Sequence, residues 1–267
     1  MNAKKDKVLK MSLPIINQFL IPYEIWETRD PTQSEIQGRM ASGMPPPICF
    51  NSVKIKLVDR INSPEKAANY LANRKYDNEI DRSVEASLND IGSKYKAARS
   101  LMPSKTSDIL SGYQRLYGPS IDMHKVNIEV VSSGAPLADG QISFHGGGLL
   151  KGVQVGESLT TTRPLSTSLS PCIATRNGAW RGKFYHENEA NLIILTACSM
   201  THNAFIFKIN GTDKGHEKEV LIQTGAVLKV VSRKLLNSNY KVYAAGNYAG
   251  DVVERTVPFY LTHVTVS

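Results

Sequence analysis

The feature that most constrains the fold is a change of hydrophobic period near residue 124. Before this point apolar residues recur at helical spacing, and beyond it they alternate with polar residues, which is typical of strands. The alternation begins at Val126, Ile128 and Val130, so a strand is expected there. Helices followed by a run of strands predict an α+β fold.

Short runs of strand-forming residues, separated by turn-rich gaps, fill the second half of the chain. They predict strands over residues 141–145, 191–198, 204–209, 219–222, 227–232, 240–245 and 259–266. Together these strands predict a mixed β core over residues 124–267, placed after a helical part over residues 60–120.

Three helices are expected in the helical part. A Ser-Pro-Glu sequence at 63–65 starts the first, because it supplies a capping serine, a proline at the first helical position and an acid near the positive end of the helix dipole. The second helix ends no later than Pro103, and the third runs over 107–117 and stops at Gly118. The apolar residues at helical spacing in the second are Ile80, Val84, Leu88 and Ile91.

The first 50 residues differ in composition from the rest. Lysines dominate the first ten residues, and the apolar stretch 11–20 is interrupted, so it makes a poor secretory signal. Three consecutive prolines at 45–47 favour an extended polyproline conformation, so residues 28–47 are expected to form a linker or a strap. We therefore expect a basic, proline-rich extension over 1–50 and one domain over 51–267.

Composition limits the kinds of partner and cofactor that the protein is expected to bind. The formal net charge of +8 favours acidic partners, but the excess is diffuse, so direct nucleic-acid binding is not expected. No apolar run reaches the roughly 20 residues needed to cross a bilayer, so no membrane segment is expected. The three cysteines are odd in number and far apart, which indicates a reducing compartment, and the histidines show no metal-ligand spacing, so no metal is expected.

Two carboxylates stand two residues apart directly before the apolar run 220–222. If this segment is a strand, Glu217 and Glu219 point to the same face. Two acids on one face repel each other unless a cation visits them. Such pairs serve reactions that pass through an oxocarbenium-like transition state. The alternative is a solvated strand end that is acidic by chance.

Two further segments carry groups suited to chemistry. Residues 143–148 end a strand in a glycine turn, where backbone can approach a ligand closely, but without the spacing of a dinucleotide fingerprint. Residues 165–171 place Ser166 and Ser168 on one face, where their hydroxyls can orient a ribose or a carboxylate. No Gly-x-Ser-x-Gly sequence is present, which disfavours a serine hydrolase.

In this order the segments resemble the mono-ADP-ribosyltransferases of the Arg/Ser/Glu type. This family holds arginine-specific bacterial toxins, secreted effectors and phage enzymes that modify host RNA polymerase and ribosomal proteins. The resemblance covers about residues 60–267 and rests on residues 144–146, 152–156, 164–171 and 217–222. It implies an ADP-ribosyltransferase fold, in which NAD binds as the substrate in a cleft between two small sheets.

The chain departs from the family pattern at His145, where these enzymes usually carry arginine. The sister group that resembles diphtheria toxin and the poly-ADP-ribosyl enzymes has histidine there, but with tyrosines in place of the sequence at 166–168. Histidine can donate a hydrogen bond to a ribose hydroxyl, but it lacks the fixed charge and planar fork of arginine.

The resemblance implies a role for each principal site residue. Glu219 would hydrogen-bond the ribose 2′-hydroxyl and stabilise the cation that forms on the sugar. Glu217 would orient and deprotonate an incoming guanidinium. Ser166 would hold Glu219 or the ribose, Gly146 would pair its backbone with the nicotinamide amide, and His145 would contact a ribose.

Further NAD contacts follow from the same resemblance. A loop over 172–185 would supply an arginine to the pyrophosphate and a tryptophan to stack on the nicotinamide. The segment 210–216 would present the target protein. The remaining cofactor-binding candidates are Thr167, Ser168, Arg176, Trp180 and Arg181.

The implied function is transfer of ADP-ribose from NAD to an arginine of a target protein, with release of nicotinamide. The implied site of action is the cytoplasm of a target or host cell, reached from a virion or a secretion system, and the target is expected to be associated with polymerase or ribosome. The alternatives are an NAD glycohydrolase, a catalytically degenerate ADP-ribosyltransferase fold that binds a protein, and a nucleic-acid-binding module that rests only on charge.

Overall fold

The structure is a computed structural model that describes residues 12–73, 78–116, 120–212, 214–246, 248 and 250–267. Helices dominate the first half and strands the second, so the expected α+β class is confirmed. The lysines of the first ten residues and the Gly118 stop lie outside the described residues. The α-helices are α1 (Gln33–Ala41), α2 (Pro46–Cys49), α3 (Pro64–Asn73), α4 (Glu79–Asn89), α5 (Tyr95–Ser100), α6 (Asp108–Leu116), α7 (Met123–Ser133), α8 (Pro171–Ala179) and α9 (Lys183–Glu187).

The strands confirm most of the expected β core. The segments expected over 227–232 and 240–245 belong to one long strand. The strands are β1 (Tyr23–Arg29), β2 (Val53–Ile61), β3 (Ala135–Pro136), β4 (Ile142–Gly146), β5 (Ser158–Thr160), β6 (Leu165–Ser168), β7 (Ala190–Ala197), β8 (Asn203–Ile206), β9 (Glu219–Ile222), β10 (Val227–Ala245) and β11 (Val252–Val266).

One mixed sheet of nine strands carries the core, in the order β3-β8-β9-β6-β4-β7-β11-β10-β5. The two sheets expected from the sequence are the two halves of this sheet. Within the described residues they are joined where β4 meets β6, at the single residue pair Phe144–Ser168. On the side of Gly146 and Ser166 the two strands no longer pair, so the sheet opens there. We call this opening the fork.

The strand expected at Val126, Ile128 and Val130 is wrong, because these residues lie in α7. The Asp122 side chain caps that helix by accepting from the backbone N–H of the residues two and three positions later. Val126 and Val130 are buried on one helical face, whereas Ile128 is 52% exposed. Apolar residues four apart fit both periods, and the capping aspartate selects the helix.

The extended linker or strap expected over 28–47 is also wrong where α1 and α2 form. Thr32 and Glu35 make a capping box at the start of α1: the Glu35 N–H donates to Thr32 Oγ1, and the Thr32 N–H donates to Glu35 Oε2. Pro46 occupies the first position of α2, where its missing N–H costs nothing. The flanking strands β1 and β2 pair with each other in a separate antiparallel sheet.

Part of the segment assigned to the N-terminal extension packs against the core. Leu13 and Ile16 are buried, and the Ile16 N–H donates to Gln141 Oε1 at 2.6 Å. The Gln18 side-chain amide donates to the Ile142 carbonyl at the start of β4. This short segment therefore packs against the start of β4.

In the described part of the chain, none of the helices combines the length and apolar character of a membrane span. Within the same residues, no group of His, Cys, Asp and Glu side chains is arranged to hold a metal ion. The cysteines Cys49, Cys172 and Cys198 are free thiols.

Adjacent isoleucines test the packing of the N-terminal segment. Ile16→Ala should lower the free energy of unfolding by about 2–5 kcal/mol, because it removes a buried side chain and leaves a cavity. Ile15→Ala should change it by less than about 0.5 kcal/mol, because Ile15 is 51% exposed. Urea unfolding measures both values, and equal values for the two variants would contradict this packing.

Candidate active site

Glu219 is the first residue of β9 and is only 4% exposed. Three side chains donate hydrogen bonds to its carboxylate. Ser166 Oγ and Tyr113 Oη donate to Oε1 at 2.6 and 3.1 Å, and Gln114 Nε2 donates to Oε2 at 3.3 Å. The carboxylate is therefore fixed from two sides, by the sheet and by helix α6.

A chain of contacts joins the three sequence segments. Ser166 bonds to Glu219 through its side chain, and its backbone carbonyl accepts a hydrogen bond from His145 Nδ1 at 2.8 Å. His145 lies on β4, Ser166 on β6 and Glu219 on β9. The histidine, the serine and the acid, far apart in sequence, thus meet at the fork between the two halves of the sheet.

The strand hydrogen bonds leave two backbones facing each other across the fork. Next to β4, the Gly147 N–H donates to Asn191 O at 3.0 Å, toward β7. Because alternate residues of a strand bond to opposite sides, the Gly146 N–H and C=O face β6. The same alternation turns the backbone of Ser166 toward β4. Since His145 already occupies the Ser166 carbonyl, the Gly146 backbone remains directed at the fork.

Close packing explains the glycine at position 146. A Cβ atom there would collide with the Ala174 carbonyl and approach the Gly178 nitrogen, both on α8. Only glycine lets α8 lie this close to the end of β4, which is a packing requirement independent of any ligand.

Glu217 does not share a strand face with Glu219, so that expectation is wrong. It ends a short 3-10 helix, Gly215–Glu217, and Lys218 then turns the chain with a left-handed φ of 49°. Its side chain is 23% exposed and lies 3.5 Å from Lys214 Nζ. Ser168 Oγ donates to the Glu217 carbonyl at 2.7 Å, which holds the turn against β6.

The pKa of Glu219 is raised above its ordinary value. Burial is the main cause, because it disfavours the charged form, and the negative charge of Glu217 adds to the effect. Hydrogen bonds from Ser166, Gln114 and Tyr113 stabilise the carboxylate and oppose the rise. Two carboxylates close in sequence thus lie in different environments, one buried and one half-exposed.

The pKa of His145 is lowered, first by burial and then by the positive charges of Lys183 and Arg163. The neutral imidazole is therefore favoured at physiological pH. Because a carbonyl can only accept, the Nδ1–H of His145 donates to Ser166 O. In the neutral imidazole Nε2 is then the unprotonated nitrogen and carries a lone pair. The two cations that act on the imidazole, Lys183 and Arg163, are both exposed.

The structure separates the other candidates from this centre. The expected loop over 172–185 is wrong, because α8, a 3-10 turn and α9 cover it. Thr167 Oγ1 donates to Val220 O, a bond between strands. Arg176, Trp180 and Arg181 are exposed, and their roles toward NAD stay predictions.

Two residues of the centre were missed by the sequence reasoning, Tyr113 and Gln114. The pattern shows α6 as an amphipathic helix, and Tyr113 falls on its apolar side beside Leu110. Gln114 is a polar residue that lies buried on the helix. A polar residue on the buried side of a helix was the one signal that could have pointed to it. A buried amide needs a partner, but its position in the chain does not say which one.

Comparison with known proteins gives matches among solved structures; no family model and no curated protein matches the chain. The Vis toxin, an ADP-ribosyltransferase from Vibrio splendidus, is 14% identical over 60% of this chain and 66% of its own, with a TM-score of 0.32. The enzymatic component C2-I of the C2 toxin from Clostridium botulinum is 12% identical over 63% and 45%, with a TM-score of 0.38. The C3larvin toxin, an ADP-ribosyltransferase from Paenibacillus larvae, is 12% identical over 68% and 98%, with a TM-score of 0.37.

Vis and C3larvin carry the name of the family that the sequence motifs resemble. The chain spans 66% of Vis and 45% of C2-I. At TM-scores of this size the likeness establishes no shared activity, so the functional case rests on the geometry of the site.

Neutralising the buried acid should stabilise the fold. A raised pKa means that Glu219 contributes stability below its unfolded pKa and loses it as the pH rises through the folded pKa. Glu219→Gln stays neutral, so at neutral pH it should melt at a higher temperature than the wild type. The advantage should shrink as the pH falls toward the ordinary value of 4.5. Calorimetry across pH measures it, with the exposed strand residue variant Glu27→Gln as the control; a lower melting temperature at neutral pH would refute the prediction.

Proposed function

We propose that this protein is an NAD-dependent mono-ADP-ribosyltransferase that modifies an arginine side chain of a target protein. The observation that carries the proposal is the run of contacts from His145 through Ser166 to Glu219 at the open fork of the sheet. It holds a carboxylate beside backbone groups that face a space between two diverging strands. This combination suits NAD: the carboxylate can stabilise the positive charge that develops on the ribose, and the backbone groups can bind the nicotinamide amide.

The nicotinamide amide would pair with the Gly146 backbone, whose N–H and C=O face the fork. A donor and an acceptor on one residue match the carbonyl and the amino group of a carboxamide. Arg163 and Lys183 are the cations that act on the neighbouring His145. We assign the diphosphate to them, because a neutral histidine supplies no charge for it.

Glu219 retains room for the ribose. A carboxylate accepts about four hydrogen bonds, and Ser166, Tyr113 and Gln114 supply three, with a single one at Oε2. The ribose 2′-hydroxyl would donate to Oε2. As the bond between nicotinamide and ribose breaks, the fixed negative charge lies next to the cation that develops, and nicotinamide leaves with the bonding electrons.

We assign Glu217 to the second half of the reaction. Its half-exposed carboxylate already attracts the ammonium of Lys214 at 3.5 Å, so a guanidinium can bind in the same way. Arginine is protonated at any physiological pH, and its nitrogen becomes a nucleophile only when a base takes a proton. Glu217 would accept that proton while the nitrogen bonds to the ribose carbon.

Labelled NAD and a cell lysate test the proposal. The wild type should label a protein, and mass spectrometry should locate the label on arginine. Glu219→Gln should lower labelling and NAD cleavage together by at least about 100-fold, because both need the charge beside the ribose. Glu217→Gln should lower labelling by about 100-fold or more and leave slow NAD hydrolysis, because only transfer needs the base. Glu27→Gln is the matched control on an exposed strand and should behave as wild type.

The other outcomes identify the alternatives. Release of nicotinamide without a labelled protein would indicate an NAD glycohydrolase. Intact NAD with no labelled protein would contradict the enzymatic proposal. Calorimetry would then separate an inactive protein that binds NAD from a degenerate fold that does not.

The pH profile of NAD cleavage should report on Ser166. Its hydroxyl stabilises the charged form of Glu219, so Ser166→Ala should raise the pKa of Glu219 further. Cleavage needs the carboxylate, so the acidic limb of the profile should move to higher pH in the variant. Thr167→Val is a neighbouring control, since its hydroxyl bonds to Val220 O instead. A lower rate with an unmoved limb would contradict this role.

A further inference from the structure

The residue between the two glutamates is a lysine that is only 1% exposed. Removing an ammonium from water costs several kcal/mol unless it is paired and hydrogen-bonded. Lys218 meets that condition: its Nζ lies 3.1 Å from Asp81 Oδ1, 3.2 Å from Glu85 Oε2 and 3.4 Å from His216 O. Three acceptors match the three protons of the ammonium.

Asp81 is itself held by a second contact. Ser170 Oγ donates to Asp81 Oδ1 at 2.7 Å, and the same hydroxyl caps the first turn of α8. The lysine therefore ties the turn that carries the glutamates to α4, and through Ser170 to α8. Both helices lie outside the sheet that carries the rest of the site.

The backbone at Lys218 needs stabilising contacts from outside the turn. Lys218 has a φ of 49°, a left-handed conformation that costs a non-glycine residue free energy. The Leu169 N–H donates to the Lys218 carbonyl at 2.9 Å, and Ser168 Oγ donates to the Glu217 carbonyl. The ion pair with Asp81 holds the side chain, so backbone and side chain are fixed together.

The two glutamates depend on this anchor to different degrees. Glu219 is paired with Ser168 in the sheet register, and its carboxylate accepts three side-chain hydrogen bonds. Among the described residues, the Glu217 carboxylate has one ion-pair partner, the partly exposed Lys214, at 3.5 Å. Loss of the anchor would therefore displace Glu217 before it displaces Glu219.

We infer that Asp81 and Lys218 form a positioning pair that places Glu217 for transfer to the acceptor. This inference rests on the proposed function. It concerns the second step, transfer to the acceptor, and leaves the first step, cleavage of NAD, unaffected. A buried ion pair is weak evidence for stability, because apolar residues often serve as well. Here the pair fixes the orientation of the turn: it holds the Lys218 side chain against α4, while the neighbouring Glu217 side chain stays partly exposed, at 23%.

Asp81→Asn is the test variant, because it keeps the size of the side chain and an oxygen for Ser170 while it removes the charge facing Lys218. Transfer of ADP-ribose to the small guanidine agmatine should fall in kcat by about 10–100-fold, since a displacement of about 1 Å can cost that much. The rate of NAD hydrolysis and the KM for NAD should stay within about twofold of wild type. General loss of structure would lower all three together.

Glu79→Gln is the matched control, because Glu79 lies on the same helix and pairs with Arg82 instead. It should leave transfer and hydrolysis unchanged. If Asp81→Asn does not fold, as judged by circular dichroism, Lys218→Met replaces it. Once the ammonium is gone, Asp81 keeps the hydrogen bond from Ser170, and water can solvate Glu85, which is 47% exposed. The same selective loss of transfer is expected.

The outcomes distinguish a failure of the positioning role from a failure of the proposed function. Equal losses of transfer and hydrolysis in a folded variant, or no loss in either, would overturn the positioning role. A wild type that does not cleave NAD would refute the proposed function itself, whatever the variants do.

Discussion

The arrangement of this site depends on one buried carboxylate that must be kept charged. Glu219 opens a strand whose residues are all buried, so the sheet that places the acid also withdraws it from water. Burial favours the neutral form, and three hydrogen-bond donors oppose it. Two of these donors come from α6 and one from β6, which means that helix and sheet must pack correctly before the acid can act.

The fork of the sheet supplies the space beside that acid. Continued pairing of β4 with β6 would join Gly146 to Ser166 and close the position where a ligand could reach the backbone. His145 prevents this by donating to the Ser166 carbonyl through its side chain. A neutral histidine suffices for that task, and the charges of Arg163 and Lys183 remain exposed beside it.

Much of the fold and the three segments of the site could be predicted from the sequence, because alternation and glycine or proline turns act locally. The prediction failed where two periods agree, as at Val126 and Val130, where a capping aspartate decides for a helix. It also failed at Glu217, because a left-handed residue at Lys218 interrupts the strand and no glycine marks the turn. Partners such as Gln114 could not be predicted, since they meet Glu219 only through the packing of α6.

The twin acids illustrate why the environment of a residue matters more than its spacing. Glu217 and Glu219 are two positions apart in the sequence, yet one is partly exposed in a helical turn and the other is buried beside α6. Carboxylates whose surroundings differ in this way are suited to different tasks. A buried, immobile charge can stabilise a cation without reorganising, whereas a base that receives a protein-borne arginine must reach solvent. The buried lysine between them is held against α4 by Asp81, while the Glu217 side chain beside it stays partly exposed.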